Sequence, residues 1–239
     1  MLDSLGIKIR EEFIVDGGPF YNEFHADHLV REPWNAFSSL LFFVPIIFWL
    51  VKLKGEYKQN IIILSLLPFL FMNGLGSTLY HAFRSSSVFL YMDFLPASAM
   101  SIILSSYLWY RLTDRVYKGV GLVLIFYVAG LLAVFFFTQL EALREMGPNI
   151  GYLFVGASYF VPIIIILKKT KFRDLKFVLI SVGSLGLALL FRILDYPSEN
   201  YLSDILPQGT HFLWHTFSVI AVFSMGFYIY KLNKIIILE

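Results

Sequence analysis

Residues 60–83 read NIIILSLLPFLFMNGLGSTLYHAF, and this stretch decides the fold class. It is long enough to cross a bilayer, whose hydrocarbon core of roughly 30 Å needs about 20 apolar residues in a helix. Its residues do not alternate between polar and apolar, as they do in a strand of a membrane barrel. We therefore predict a transmembrane helix that carries polar side chains, among them Asn73, Ser77 and His81, towards one end.

Further segments of similar length and apolar character follow the same pattern, with charged or turn-rich residues between them. The predicted spans are 34–51, 60–83, 87–110, 119–138, 150–167, 177–194 and 209–230. The sequence therefore predicts an all-α membrane protein, a bundle of seven transmembrane helices. We divide it into a polar acidic N-terminal cap (1–33), a membrane domain (34–231) and a short cytoplasmic tail (232–239).

The composition excludes several classes of protein. Apolar residues make up 58% of the 239 residues and charged residues only 15%, whereas a soluble domain carries about 25% charged residues. The net charge of +2, without a concentrated basic patch, argues against nucleic acid as a partner. The chain has no cysteine, which excludes disulfides, thiolate metal sites and a cysteine nucleophile. Any metal must be held by histidine, carboxylate or water.

The orientation is predicted from the loops, because cytoplasmic loops of membrane proteins carry more lysine and arginine. Most of the 19 basic residues lie in the first, third and fifth loops and in the tail: Lys52, Lys54, Lys58, Arg111, Arg115, Lys118, Lys168, Lys169, Lys171, Arg173, Lys176, Lys231 and Lys234. We therefore predict a cytoplasmic C-terminus and, with an odd number of spans, an N-terminus outside.

Five polar side chains within the predicted spans are the candidates for function, because ionisable groups in lipid are costly. They are Ser77, His81, Asp93, His211 and His215. Residues four apart share one face of a helix, which pairs the serine with the first histidine and the last two histidines with each other. In the predicted topology, all five lie in the outer part of the membrane on three helices.

Three neutral imidazoles suit zinc and leave a fourth position open for water, as in catalytic zinc sites. Zinc lowers the pKa of such a water towards 7 and so supplies hydroxide near neutral pH. Asp93 would hold that water or accept its proton, and Ser77 would donate a hydrogen bond to a developing oxyanion. We therefore predict zinc bound by His81, His211 and His215, with Ser77 and Asp93 as catalytic residues.

Simpler roles stay open for some of these residues. Two histidines near a membrane interface can bind backbone or water, and Ser77 can donate to the helix carbonyl four residues back. Asn35, Ser38 and Ser39 of the first span are interpreted as helix-packing residues. The glycines of the NGLG sequence (73–76) are predicted to let a neighbouring helix approach closely.

Four segments carry a resemblance to a known family: EPWNAFSSLLFF (32–43), NGLGSTLYHAF (73–83), MDFLPASAM (92–100) and THFLWH (210–215). With these motifs in this order on seven spans, the chain resembles the superfamily of membrane hydrolases that contains alkaline ceramidases, progestin and adipoQ receptors, and haemolysin III-like proteins. Within that group it is most similar to the alkaline ceramidases.

The resemblance implies zinc on the same three histidines and hydrolysis of a lipid amide, in which ceramide gives a sphingoid base and a fatty acid. It also implies a calcium ion bound by an acidic N-terminal segment that ends in a Glu-x-Trp-Asn element, which EPWN (32–35) matches. Glu23, Asp27 and Glu32 are the candidate calcium ligands, and Asp16 offers a further oxygen. Upstream of this element, the sequence is less acidic than the family.

The leading prediction is therefore a zinc-dependent intramembrane lipid amide hydrolase, with its site towards the non-cytoplasmic side and its lipid substrate entering from the bilayer.

The family commonly has a glutamate after the third-span aspartate, where this chain has Phe94. The compact, cysteine-free chain indicates a prokaryotic member in a bacterial cytoplasmic membrane. The alternative is an adipoQ-receptor-like lipid sensor with weak or no hydrolysis. A transporter with a structural zinc is disfavoured, since no polar path crosses the cytoplasmic half.

Overall fold

The computed structural model is helical in every regular element that it describes. It describes residues 16–140, 147–195, 202 and 205–235. The prediction of an all-α protein is confirmed for this part of the chain. Residues 1–15 of the predicted N-terminal cap and residues 236–239 of the predicted tail lie outside the described residues.

The helices follow one another along the chain with short connections. A 3₁₀ turn at Leu40–Phe42 joins the first two helices, and another at Tyr57–Asn60 leads into the third. The α-helices are α1 Pro33–Ser39, α2 Phe43–Lys52, α3 Ile61–Phe83, α4 Ser87–Thr113, α5 Val116–Gln139, α6 Gly147–Lys169, α7 Leu175–Leu194 and α8 His211–Leu232.

Helical segments long and apolar enough to cross a membrane coincide with six of the seven predicted spans. They are Pro33–Lys52, Tyr57–Phe83, Ser87–Thr113, Val116–Gln139, Leu175–Leu194 and His211–Leu232. The chain thus has the character of a helical integral membrane protein. The predicted span 150–167 lies within α6, which is helical but is not among these six. Seven spans and the orientation of the termini stay predictions.

The chain divides into two compact units. The first comprises Met1–Ala97 and Lys176–Lys234, and it holds all five polar side chains that the sequence singled out. The second comprises Ser98–Leu175 and Ile235–Glu239. Within the second unit α5 packs along α6.

Close packing at two glycines of α3 brings its neighbours against the face that bears Ser77 and His81. A Cβ atom at Gly74 would lie 2.8 Å from Phe42 Cβ, in the turn between α1 and α2. A Cβ atom at Gly76 would lie 2.6 Å from the backbone nitrogen of Asp93 in α4. Only a residue without a side chain permits these approaches, so the predicted close contact at NGLG is confirmed.

Candidate metal centre

Three histidines from two helices form a buried cluster in the first unit. His81 lies near the C-terminal end of α3, and His211 and His215 lie in the first two turns of α8. Their ring centroids are 5.0, 4.9 and 4.7 Å apart, and their ligand nitrogens all lie within 4.8 Å of one another. Their exposed fractions are 0%, 3% and 2%. The structure therefore brings the three predicted ligands together, and they can hold a metal ion.

The hydrogen bond made by one nitrogen of a histidine ring decides whether the other carries a lone pair. His81 Nδ1 lies 2.5 Å from Glu32 Oε2, and both side chains are fully buried. A carboxylate can only accept, so Nδ1 donates and Nε2 is left as a lone-pair donor for a metal. Such carboxylate–histidine pairs orient the ligands of many zinc sites.

His215 is oriented in the same way by two serines of α1. Its Nδ1 lies 2.8 Å from Ser38 Oγ and 3.3 Å from Ser39 Oγ. Both hydroxyls are placed to donate to the carbonyl of Asn35, at 3.0 and 2.8 Å, so their oxygens are free to accept from the histidine. Nε2 of His215 then faces the cluster. The interpretation of these serines as packing residues alone is incomplete.

Two ring nitrogens of the cluster support its fit to a metal. His81 Nε2 and His211 Nδ1 are buried and have no hydrogen-bond partner among the described residues. Buried polar atoms are almost always paired, and an exception calls for an explanation such as an ion. Imidazole nitrogens suit zinc, copper, iron and nickel, and three of them with an open fourth position are typical of catalytic zinc. The residues present therefore fit a zinc ion.

Ser77 adjoins this cluster, and Asp93 adjoins Ser77. Ser77 is 1% exposed, and its Oγ lies 3.4 Å from His215 Nε2 and 3.0 Å from Ser39 Oγ. It also interacts with the carboxyl group of Asp93. Asn73 Nδ2 donates to Asp93 Oδ1 at 2.8 Å, which orients that carboxyl group from the neighbouring helix. The two predicted catalytic side chains thus lie together, and Ser77 links Asp93 to the histidine cluster.

Asp195, just beyond the end of α7, organises the start of α8. Its Oδ1 accepts from the backbone nitrogens of Thr210, at 2.5 Å, and His211, at 3.1 Å. Its Oδ2 accepts from the nitrogen of Asn22 at 3.3 Å. A carboxylate at a helix N-terminus satisfies unpaired N–H groups and interacts favourably with the helix dipole. Asp195 therefore fixes the turn that carries two of the three histidines.

The N-terminal segment, residues 16–31, precedes α1 and covers two of the histidines with Tyr21. The ring of Tyr21 is centred 4.0 Å from His211 and 5.1 Å from His81. Burial raises the pKa of Tyr21, and the negative charge of Glu32 raises it further, so the side chain stays a neutral phenol. The segment is also tied to α1, because Glu23 accepts from the nitrogens of Trp34 at 2.8 Å and Asn35 at 2.9 Å.

Arg84 is fully buried behind this segment. Its Nε donates to Asp16 Oδ2 at 2.7 Å, and its Nη2 donates to Asp16 Oδ1 at 3.2 Å and to the carbonyl of Pro19 at 2.9 Å. Its Nη1 donates to Glu32 Oε1. Burial alone lowers the pKa of Arg84, but Glu32 and Asp16 raise it overall, so the guanidinium stays charged.

The residues assigned to calcium by the family resemblance do not fit that ion here. Glu32 offers one oxygen to Arg84 and the other to His81. Both oxygens of Glu23 accept from the backbone at the start of α1, and Asp27 is exposed. A calcium ion needs six to eight oxygen ligands, and the two buried carboxylates of this set, Glu23 and Glu32, already accept from other donors.

No protein-family model matches the chain, and a search of curated proteins found no match. The function therefore has to be argued from the geometry of this site.

The sequence interpretation missed the residues that orient the ligands. Glu32 was assigned to calcium but contacts His81, and Arg84 and Asp195 were given no part in the site. One signal was available for the last two, because each is a charged residue at the end of an apolar span. Their partners lie far away in sequence, and no local spacing points to them.

Proposed function

We propose that the chain is a zinc-dependent intramembrane hydrolase of lipid amides, with ceramide as the first substrate to test. The observation that carries the proposal is the buried cluster of His81, His211 and His215, with unpartnered ring nitrogens and with Ser77 and Asp93 beside it. A structural metal site needs no carboxylate–hydroxyl pair at its edge. Hydrolysis uses both groups.

The metal and the side chains have separate tasks. A zinc ion bound by the three histidines would supply a Lewis acid and a hydroxide nucleophile near neutral pH. The protein contributes the orientation of the His81 and His215 imidazoles through Glu32, Ser38 and Ser39. It also contributes an interior from which bulk water is largely excluded, where electrostatic interactions with a developing charge are strong.

Asp93 is the proton carrier in the proposed reaction. Its carboxylate, oriented by Asn73, accepts a proton as the oxygen of water forms a bond to the acyl carbon. The same carboxyl group returns the proton to the amide nitrogen when the carbon–nitrogen bond breaks, so that an amine and a carboxylic acid leave. Ser77 donates a hydrogen bond to the carbonyl oxygen, where negative charge develops.

A lipid suits the position of this site. The cluster lies among helices with the composition of membrane spans, and Tyr21 covers two of its histidines. An amide with two long tails can enter sideways from the bilayer between such helices. The exposed apolar side chains of the spans, such as Phe37 at 65% exposure, provide a surface that lipid tails can contact.

The test combines elemental analysis with a hydrolysis assay on purified protein in detergent micelles that contain fluorescent ceramide. We expect one zinc per chain and release of a fatty acid. The Asp93→Asn and Ser77→Ala variants should retain zinc and lose at least about tenfold in rate, since these roles are worth roughly 10²–10⁴ and 10²–10³. Matched controls are Asp114→Asn, at an exposed turn, and Ser181→Ala, a buried serine of α7 that donates to Ala221.

The outcomes separate the candidate functions. Wild-type turnover in both site variants would overturn the assigned roles. Stoichiometric zinc without hydrolysis of any N-acyl lipid would overturn the hydrolase and favour the lipid-sensor alternative. A chain that binds no metal would overturn both.

A further inference from the structure

Arg84 ends α3 in a conformation that costs free energy. Its φ and ψ angles of 49° and 34° are left-handed, and its N–H donates to the carbonyl of Tyr80 at 2.9 Å. Glycine usually fills this position at the end of a helix, and another residue there costs of order 1–3 kcal/mol. Such a conformation persists only where the contacts of the side chain offset its cost. The contacts of the guanidinium therefore have to account for it.

The guanidinium joins parts of the chain that are distant in sequence. Asp16 and Pro19 belong to the segment that crosses the histidines, whereas Glu32 immediately precedes α1. Its carbon lies 4.7 Å from the ring centre of Tyr80 and 5.4 Å from that of Tyr21, so the planar cation is also flanked by aromatic faces. All of these residues lie in the first unit.

The groups around Arg84 are those that would otherwise hold a divalent cation. Two carboxylates and a backbone carbonyl make an oxygen-only donor set, which is the type that calcium prefers. In this chain a guanidinium occupies the set, and its fixed fork matches the two oxygens of Asp16. An arginine cannot be removed by dilution or by a chelator and is always charged.

Arg84 acts on the metal centre through the other oxygen of Glu32. Arg84 engages Oε1, and Oε2 accepts from His81 Nδ1 at 2.5 Å. A carboxylate held on one side by a charged fork is fixed in the orientation that the histidine needs. Without the guanidinium, Glu32 and Asp16 would be two buried carboxylates with no cation, and His81 would lose an oriented acceptor.

We propose that Arg84 is a built-in cation that replaces calcium in this chain: it positions Glu32 against His81 and holds the N-terminal segment over the metal centre. It is a positioning residue, because it acts on the metal through Glu32. The proposal rests on the proposed zinc centre but not on the reaction, so it is tested by zinc binding and backbone exchange.

The first experiment measures the zinc Kd of the full chain in detergent by competition with a chromophoric chelator. Loss of a residue behind a metal ligand typically costs about 10–100-fold in metal affinity, and we expect a loss of this size in Arg84→Met. Arg84→Lys keeps the charge without the fork and should lose less. Arg115→Met, which removes an exposed arginine outside the first unit, is the matched control and should leave the Kd unchanged.

The second experiment measures hydrogen–deuterium exchange at the backbone amides of Asn22 and Trp34, which are paired with Asp195 and Glu23. Release of the segment should speed exchange at Asn22 in Arg84→Met. Exchange at Trp34 should rise as well, because its acceptor Glu23 belongs to the same segment. An unchanged zinc Kd and unchanged exchange at Asn22, with only a lower melting temperature, would reduce Arg84 to a structural residue and overturn the proposal.

The third experiment needs no variant and covers the case in which Arg84→Met does not fold. Calcium at up to about 1 mM, the range of weak extracellular sites, should change neither the melting temperature nor the zinc Kd of the wild-type chain. Calcium-dependent stabilisation would overturn the built-in cation. Failure of ceramide hydrolysis would overturn only the proposed reaction, because none of these readouts uses it.

Discussion

Replacement of Gly76 by alanine should separate catalysis from metal binding. Gly76 lies on α3 where α4 comes closest, and an added Cβ atom would lie 2.6 Å from the backbone nitrogen of Asp93. The atoms nearest to the added methyl group belong to Met92 and Asp93, and His81 and His215 are held separately by Glu32, Ser38 and Ser39. We therefore expect zinc to stay bound while Asp93 moves.

The size of the movement follows from the contact distance. Ordinary contacts of a Cβ atom begin at 3.4 Å, so α4 must withdraw by at least about 0.8 Å at Asp93. A misplacement of about 1 Å can cost 10²-fold in rate, and overpacking of this kind destabilises by about 1–3 kcal/mol. Because a movement of about 0.8 Å is slightly smaller than 1 Å, we expect a tenfold to hundredfold loss of ceramide hydrolysis. We also expect a lower melting temperature.

The assay compares Gly76→Ala with Gly183→Ala, a helical glycine in the same unit with open space around its Cβ position. The control should hydrolyse ceramide normally and melt at the same or a higher temperature, because alanine is the better helix former by about 1 kcal/mol. Zinc content, turnover and melting are measured on all three proteins. Wild-type turnover and melting in Gly76→Ala would refute the argument that this contact positions Asp93.

Three further predictions test the metal, the capping carboxylate and the topology. His215→Ala should lose most of its zinc, whereas the control His28→Ala, at an exposed position outside the cluster, should keep it. Full zinc occupancy in His215→Ala as well as in the control would exclude a zinc centre at the three histidines. Asp195→Asn should destabilise the start of α8 by about 1–2 kcal/mol, measured by thermal melting, and weaken zinc binding, measured by competition titration. An unchanged zinc Kd would show that Asp195 does not support the site. Reporter fusions after Lys58 and Pro148 should report cytoplasm and outside respectively, and the reverse pattern would contradict the predicted orientation.

Local patterns in the sequence predicted the helices and the candidate metal ligands. Apolar runs of bilayer length specify helices, and polar residues within them stand out. The spacing of His211 and His215 places both on one face of α8, and that relation needs no knowledge of the fold. His81 joined them only through a shared predicted depth, and the structure confirms that the three lie together.

The contacts that orient the ligands could not be predicted because they link distant parts of the chain. Glu32 and His81 are 49 residues apart, and Ser38 and His215 are 177 apart. No period or motif records which pair of helices adjoins. Arg84 shows the same limitation, since a basic residue after an apolar span predicts an interface position, and its carboxylate partners become visible only in three dimensions.

The bond between Ser38 and His215 also bears on the order in which the protein matures. The ligand from α3 and its partner Glu32 are synthesised long before α8, yet the other two ligands and the carboxylate that caps them belong to the last third of the chain. A nascent chain that stops before α8 holds one of the three histidines and has no site to load. A metal ion held by the three histidines would therefore be captured only after insertion of the final helix, and its presence would report that these helices are in place.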